Sequence, residues 1–357
     1  MDFFSSLNIF LDSISVMHRA GFAFITSLFL VLIFGNPYIK AVKASKKLLQ
    51  PIRTDGPQTH LAKQGTPTLG GLLIMVCFWI ASLVWVANLN VIIKVILFVS
   101  FGFTLLGFID DVIKLALKNS KGLNGKFRLV VGTLISLTAM YCLIQEYPAE
   151  IAKSVFFPFI SSFYIPIGAG ILFFGAFVIV GTANSVNLTD GLDGLATMVI
   201  ATILLSFLLL IILIITPGVY TNFLYSSLFY FNNIIEILVV CAALIGALLG
   251  FLWFNSYPAK IFMGDVGSLG IGATLGTIAV ALKQEIFLAV AGVFLVIESL
   301  SVIIQVYNYK ITGKRVFLMA PIHHHFEKKG IFEITVVKRI WIFTIATSVV
   351  ALLLLDI

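Results

Sequence analysis

Two aspartates side by side in the run GFIDDVIKL are the first residues whose placement calls for chemistry. Adjacent carboxylates repel one another, so Asp110 and Asp111 need a cation or a proton to offset that repulsion. Lys114, three residues after Asp111, is within reach of it on a helix. Further along, GTANSVNLTDGLDGLA spaces Asn184, Asn187, Asp190 and Asp193 three apart, and a helical turn would bring them to one side. Gly191 and Gly194 allow close approach of a ligand or unusual backbone angles. This stretch contains no Lys or Arg, so its carboxylates await an external cation. It lacks the twelve-residue spacing and terminal Glu of a calcium loop. A third segment, NSYPAKIFMGDVGSLGIG, sets Asp265 between Gly264 and Gly267 at the expected start of a helix. A carboxylate there suits a hard cation such as Mg²⁺, which takes one or two carboxylates together with substrate phosphates. Phe262 reads either as a core residue or as a ring that stacks on a planar base. The three consecutive histidines of APIHHHFEKKG lack the spacing of a tetrahedral zinc site. Phosphate recognition by imidazole and an ordinary amphipathic loop both remain open for them. Lys63 before GTPTLGG, and Lys121, Lys126 and Arg128 in KGLNGKFR, add positive charge. Carboxylates for a metal, His and Lys for phosphate oxygens, and an apolar surround point to phosphoryl transfer at a membrane surface. No Walker A loop or kinase motif set accompanies them.

The elements that must position these residues are membrane-spanning helices. Of 357 residues, 60% are hydrophobic and 11% charged, against about 25% charged in a soluble domain. That excludes a water-soluble globule, a disordered chain and a disulfide scaffold. Windows long enough to cross a bilayer fall at 20–35, 69–87, 91–109, 129–145, 166–184, 195–215, 234–253, 268–282, 286–305 and 340–355. The expected fold is all-α: a polytopic integral membrane protein of about ten helices in one bundle, with residues 1–357 as a single domain. The first window lacks the basic leader and small-residue cleavage site of a signal peptide. Residues 1–17 are expected to form an interfacial segment. The apolar stretch 155–165, broken by Pro158, reads as a folded outer loop, and Tyr220–Phe231 resembles it. Cys77, Cys142 and Cys241 lie far apart in apolar runs and read as packing residues.

The loops 36–67, 110–128, 185–194, 254–267 and 306–339 hold 19 of the 23 Lys and Arg residues. By the positive-inside rule these loops are cytoplasmic and both termini periplasmic. The net charge of +7 therefore reports topology rather than nucleic-acid binding. Asp110, Asp111, Asp190, Asp193 and Asp265 all fall at cytoplasmic helix ends, where one bundle would let them converge. Glu298, inside the ninth window, is an intramembrane acid and hence a functional suspect. A structural alternative is a hydrogen bond with neighbouring Ser299 or Ser301.

With GTPTLGG, GFIDD, NLTDGLDGLA, FMGDVGSLG and PIHHHFEKKG in that order, the chain resembles the polyprenyl-phosphate phospho-sugar transferase family over nearly its whole length. The match is closest to the phospho-N-acetylmuramoyl-pentapeptide transferases. The resemblance implies a ten-span bacterial inner-membrane protein with its active site facing the cytoplasm. It also implies Mg²⁺-dependent transfer of phospho-MurNAc-pentapeptide from UDP-MurNAc-pentapeptide to undecaprenyl phosphate, giving lipid I and UMP. By motif position Asp265 would bind the metal, Asp110 and Asp111 would be the catalytic pair, and His323 with His324 would assist at the phosphates. Lys63, Lys121, Asn187, Asp190, Asp193, Asn255 and Phe262 would line the nucleotide and phosphate cleft, with Phe262 stacking on uracil. KGLNGKFR matches less closely than the other motifs. Membrane lipid is the other implied partner, nucleic acid is not, and a homodimer is compatible with this reading.

A phosphate monoester has its second pKa near ~6. The acceptor is therefore largely dianionic and leaves a general base little to do. Direct attack by the lipid phosphate is favoured over attack by Asp110 through a phospho-aspartyl intermediate. The acceptor's tail requires an apolar groove from the bilayer to the acids. Two rival readings are a phospho-GlcNAc transferase using the same carrier lipid and an ion or metal transporter. Transporters hold their coupling acids near the midplane, often in repeated halves; here the acids gather at one surface and no repeat is evident.

Overall fold

The structure, a computed structural model, describes residues 11, 14–44, 65–117, 122–160, 163–216 and 232–355. Most of the expected segment 1–17, the Tyr220–Phe231 stretch, Lys63 and Lys121 lie outside them. In lipid every backbone polar group needs an internal partner, so apolar runs of this length resolve as helices. They are α1 (Val16–Ala44), α2 (Gly70–Trp85), α3 (Val91–Leu117), α4 (Gly125–Ile144) and the short α5 (Ala149–Ala152). After a hairpin of β1 (Ser154–Phe156) and β2 (Tyr164–Pro166) come α6 (Gly170–Thr189), α7 (Leu195–Ile215) and the short α8 (Asn232–Ile235). The remainder is α9 (Ile237–Asn255), α10 (Gly264–Ala281), α11 (Glu285–Ala291), α12 (Val293–Thr312), α13 (Ile322–Lys328) and α14 (Glu333–Leu353).

Each of the ten windows falls on helix. Among the described residues, nine helices are long and apolar enough to cross a membrane, and Gly70–Trp85 is a shorter apolar helix. The protein is thus an all-α, multi-pass membrane protein. Most boundaries shift by a few residues, and two differences bear on the site. The window 286–305 is broken at Gly292 into α11 and α12, where a residue without a side chain loosens the helix. The third helix runs to Leu117, so Asp110 and Asp111 lie about two turns inside it rather than at its end. Leu115 packs there with Leu69 and Val266, which gives the extension an apolar anchor. The stretch 155–165 is the antiparallel hairpin, with Val155 opposite Ile165.

α9 and α10 form the buried centre. Small residues let the backbones approach, the usual route to tight helix contact in membranes. α9 lies against α1, where a Cβ at Gly246 would strike the Phe24 carbonyl. α10 lies against α3 and α6, where a Cβ at Gly107 would strike the Asp265 backbone and one at Gly272 would meet Ala183. α2 is only 16 residues long, about 24 Å, because its start is held by protein. Gly70 N–H donates to the Phe262 carbonyl and Gly71 N–H to the Met263 carbonyl, both at 2.8 Å. Outward faces carry exposed Phe29, Phe173, Phe177 and Trp253, the surface a bilayer covers.

Candidate active site at the basic end of the bundle

The close crossing of α3 and α10 brings Asp110 and Asp111 against Asp265. One oxygen from each of the three carboxylates lies within 4.8 Å of the other two. Asp111 turns toward the start of α10 and accepts the Val266 N–H at 3.0 Å, satisfying one of the donors a helix leaves free at its first turn. Asp110 accepts the Leu123 N–H at 2.6 Å, which ties the segment leading into α4 to the cluster. Gly122 is needed beside it, since a Cβ there would overlap the Asp110 carboxylate.

Cations compensate the three acids. Lys114 Nζ lies 2.5 Å from Asp110, 2.7 Å from Asp265 and 4.0 Å from Asp111. It thus pairs with Asp111 as the spacing suggested, but lies closer to Asp110 and Asp265, because i,i+4 reach and the incoming α10 outrank i,i+3. Arg128, on the first turn of α4, donates to Asp265 at 3.1 Å. Asn187 near the end of α6 donates to Asp265 at 2.8 Å and lies at the same distance from Ser268 Oγ. Three hard oxygen donors at the positive end of α10 fit a divalent cation of the magnesium type in donor chemistry.

The segment after Asn187 does not keep its polar residues on one side. α6 stops at Thr189, and Gly194 adopts φ +77°, so the chain turns before α7. Asn184 donates back to the Val180 carbonyl in its own helix. Asp193 is carried away from the three acids and accepts the Ala259 N–H at 2.9 Å. Asp190 stays near them. Burial, followed by the negative charges of Asp265, Asp111 and Asp193, pushes its carboxyl well above the ordinary aspartate range. The Gly264 backbone N–H opposes that rise. Asn255, at the end of α9, accepts from Gly194 N–H and Thr197 Oγ1 and donates to the Ile261 carbonyl, at 3.1, 3.1 and 3.0 Å. Its amide clamps two loops together. Phe262 is half-buried, its N–H donating to the Pro67 carbonyl at 2.9 Å.

The histidines divide. His323 is fully buried and His324 packs edge-on against it, with ring centres 4.1 Å apart. A Cβ at Gly191 would collide with His323 Nε2 and come within 3.3 Å of His324 Nε2, so both edges face the Asp190–Gly194 turn. His325 points elsewhere: its Nδ1 accepts the Leu318 N–H at 3.1 Å. The structure thus gathers Asp110, Asp111, Asp265, Asn187 and Asp190, sets His323 and His324 beside the Asp190 turn, and gives Asp193 and Asn255 bonds that hold loops. Lys114 and Arg128 are contacts the sequence undervalued. Lys114 was visible at i+4 from Asp110, whereas Arg128 had only its place in a basic loop to mark it.

Residues 93–283 match the model of the family described as Glycosyl transferase family 4, a span that contains all three clustered acids. Over 353 residues the chain is 44% identical to the phospho-N-acetylmuramoyl-pentapeptide-transferase of Pelagibacter ubique, covering 99% of this chain and 96% of that one. It is 45% identical over 337 residues to the protein of that name from Ruegeria pomeroyi, covering 94% and 93%. The chain belongs to the phospho-N-acetylmuramoyl-pentapeptide-transferase family. A third relative with this name, from Rhodopseudomonas palustris, is 43% identical over 355 residues, 99% of this chain and 97% of that one. Similarity over both full lengths includes the HHH segment that the family model, ending at residue 283, does not reach.

Proposed function

We propose that the chain transfers phospho-MurNAc-pentapeptide from UDP-MurNAc-pentapeptide to undecaprenyl phosphate, giving lipid I and UMP. The observation that carries this reading is the convergence of Asp110, Asp111 and Asp265 with Lys114 and Arg128 at one end of the bundle. The relatives' shared name favours the muramoyl donor over a phospho-GlcNAc donor. Acids gathered at one end, rather than at mid-membrane, argue against an ion transporter. The same reading sets the Lys- and Arg-rich loops in the cytoplasm, both termini in the periplasm, and the whole chain as one domain in a bacterial inner membrane.

In the reaction an oxygen of the lipid phosphate attacks the donor phosphorus that bears the sugar. A new P–O bond forms, the P–O bond between the two donor phosphorus atoms breaks, and its electron pair leaves with UMP. No proton has to be removed from a dianionic acceptor, so Asp110 needs neither to act as a base nor to become phosphorylated. The work left to the chain is to hold two anions together and stabilise charge on the leaving group. Arg128 and Lys114 supply fixed positive charge beside Asp265, and Asn187 orients that carboxylate. His323 and His324 present Nε2 edges for phosphate oxygens at the Asp190 turn. Phe262 is assigned to stack on the uracil, and Lys63 and Lys121 are assigned by their motifs to bind phosphate. Mg²⁺ held by Asp265, with Asp110 and Asp111 beside it, would neutralise the pyrophosphate.

The test is incubation of the purified chain with UDP-MurNAc-pentapeptide, undecaprenyl phosphate and Mg²⁺. UMP and a lipid-linked product should appear together, and neither should appear with UDP-GlcNAc as donor. Donor alone should give no stoichiometric burst of UMP; a burst would overturn direct attack. Mg²⁺ flux into sealed vesicles without UMP release would overturn the transferase reading altogether.

A further inference from the structure

Glu298 is an acid in a membrane-embedded helix, fully buried in the second turn of α12. Its neighbours do not satisfy its carboxylate. Ser301 donates to the Glu298 backbone carbonyl, and Ser299 pairs with Ser185 of α6 at 2.6 Å. The carboxylate instead places Oε1 3.0 Å from His323 Nδ1, while Oε2 makes no hydrogen bond among the described residues. On the far edge of the same ring, His323 Nε2 is buried, without a partner among the described residues, and turned to Gly191. An intramembrane acid is expensive to keep, which makes it a functional suspect with its partner named. A ring nitrogen buried without a partner is costly too, unless a ligand atom meets it.

We infer that Glu298 is the positioning residue of His323, a role that rests on the phosphotransfer reading above. The carboxylate accepts the Nδ1 proton, which fixes the tautomer and leaves Nε2 as the free edge. It also fixes the ring plane, so Nε2 points across Gly191 into the turn that carries Asp190. A second pair has the same form on the next residue: His324 Nδ1 lies 2.7 Å from Glu327 Oε2, and its Nε2 also borders Gly191. The pairing of an imidazole with a carboxylate is thus repeated on adjacent residues, while the unpartnered nitrogen edge among the described residues is that of His323. The Ser185–Ser299 bond ties α12 to α6, so the acid that sets His323 and the turn it faces move as one unit.

The test is a double-mutant cycle on the purified, membrane-reconstituted chain, using Glu298→Ala, His323→Ala, the pair, and Glu298→Gln, with UMP release and thermal unfolding both measured. Glu298→Ala and His323→Ala should each lower kcat by about 100-fold or more with donor KM little changed. The pair should be no worse than His323→Ala alone. Glu298→Gln keeps an acceptor for Nδ1–H and should recover at least tenfold over the alanine variant. Effects that multiply in the pair, or a Glu298→Ala enzyme within about twofold of the parent, would overturn the assignment. If Glu298→Ala does not fold, the comparison of Glu298→Gln with and without His323→Ala decides in the same way. An inactive parent chain would count against the phosphotransfer reading, not against the pairing, which ¹⁵N-histidine tautomer signals would still report: Nδ1–H in the parent and its loss in Glu298→Ala.

Discussion

Asp190 shows how a single side chain records its surroundings. Its carboxyl is held above the ordinary range first by burial and then by three nearby acids. A carboxyl whose folded pKa lies above its unfolded one binds its proton more tightly in the folded chain. Stability is therefore lost as pH rises above the ordinary aspartate range. In the metal-free protein, Asp190→Asn should unfold at the same temperature as the parent below about pH 4, and at a higher temperature than the parent by about pH 7. Thermal unfolding at a series of pH values measures this; a gap that shrinks as pH rises would contradict the electrostatic account. At this scale the acids were legible in the sequence as types and positions. Their partners were not, because hydrogen bonds such as Arg128 to Asp265 span 137 residues and depend on how helices cross.

Elements set the loops through residues that never need to touch substrate. Asn255, at the end of α9, satisfies a backbone N–H, a hydroxyl and a backbone carbonyl from two different segments. Asn255→Leu keeps the branching at Cγ but leaves three groups without their partner, at roughly 1–3 kcal/mol for each that stays buried. The Asp190–Gly194 turn would shift with it and turnover should fall by about 10- to 100-fold. Unfolding temperature and UMP release measured on the same preparation check both parts. The motif NLTDGLDGLA announced a functional segment, and its three-residue spacing suggested a helical turn with the polar residues on one side. The helix ends at Thr189, the next begins after Gly194 at φ +77°, and Asp193 in the turn between them accepts the Ala259 N–H. Helix existence was readable from apolar length; where a helix breaks, as at Gly292, depended on packing that one segment does not reveal.

At the level of the whole molecule, the two ends of the bundle divide their tasks. Far from the acids, Arg19 at the start of α1 makes a two-pronged ion pair with Glu236, both contacts at 2.7 Å, and also donates to the Trp85 carbonyl. Glu236 in turn accepts the Ala87 N–H at 3.2 Å. One buried pair thus fastens α1, the end of α2 and the start of α9. Arg19→Met leaves a buried carboxylate unpaired and should destabilise by about 3–5 kcal/mol. The fraction that stays folded should retain its turnover, because the break is at the other end. Adding Glu236→Leu should restore much of the lost stability, as read by thermal unfolding. Ten apolar windows and the asymmetry of Lys and Arg made this two-ended plan legible. The pairing of α9 with α1, and of α10 with α3 and α6, needed the three-dimensional fit of glycine faces.

If Asp110, Asp111 and Asp265 act together on phosphate, Asp265→Asn should stop turnover without unfolding the bundle. The variant keeps the side-chain volume and the neighbours at Asn187, Lys114 and Arg128, but removes the charge that faces them. UMP release with saturating donor, acceptor and Mg²⁺ should fall by at least about 100-fold, while the unfolding temperature shows that the bundle is intact. Turnover near that of the parent in a folded Asp265→Asn protein would contradict the account.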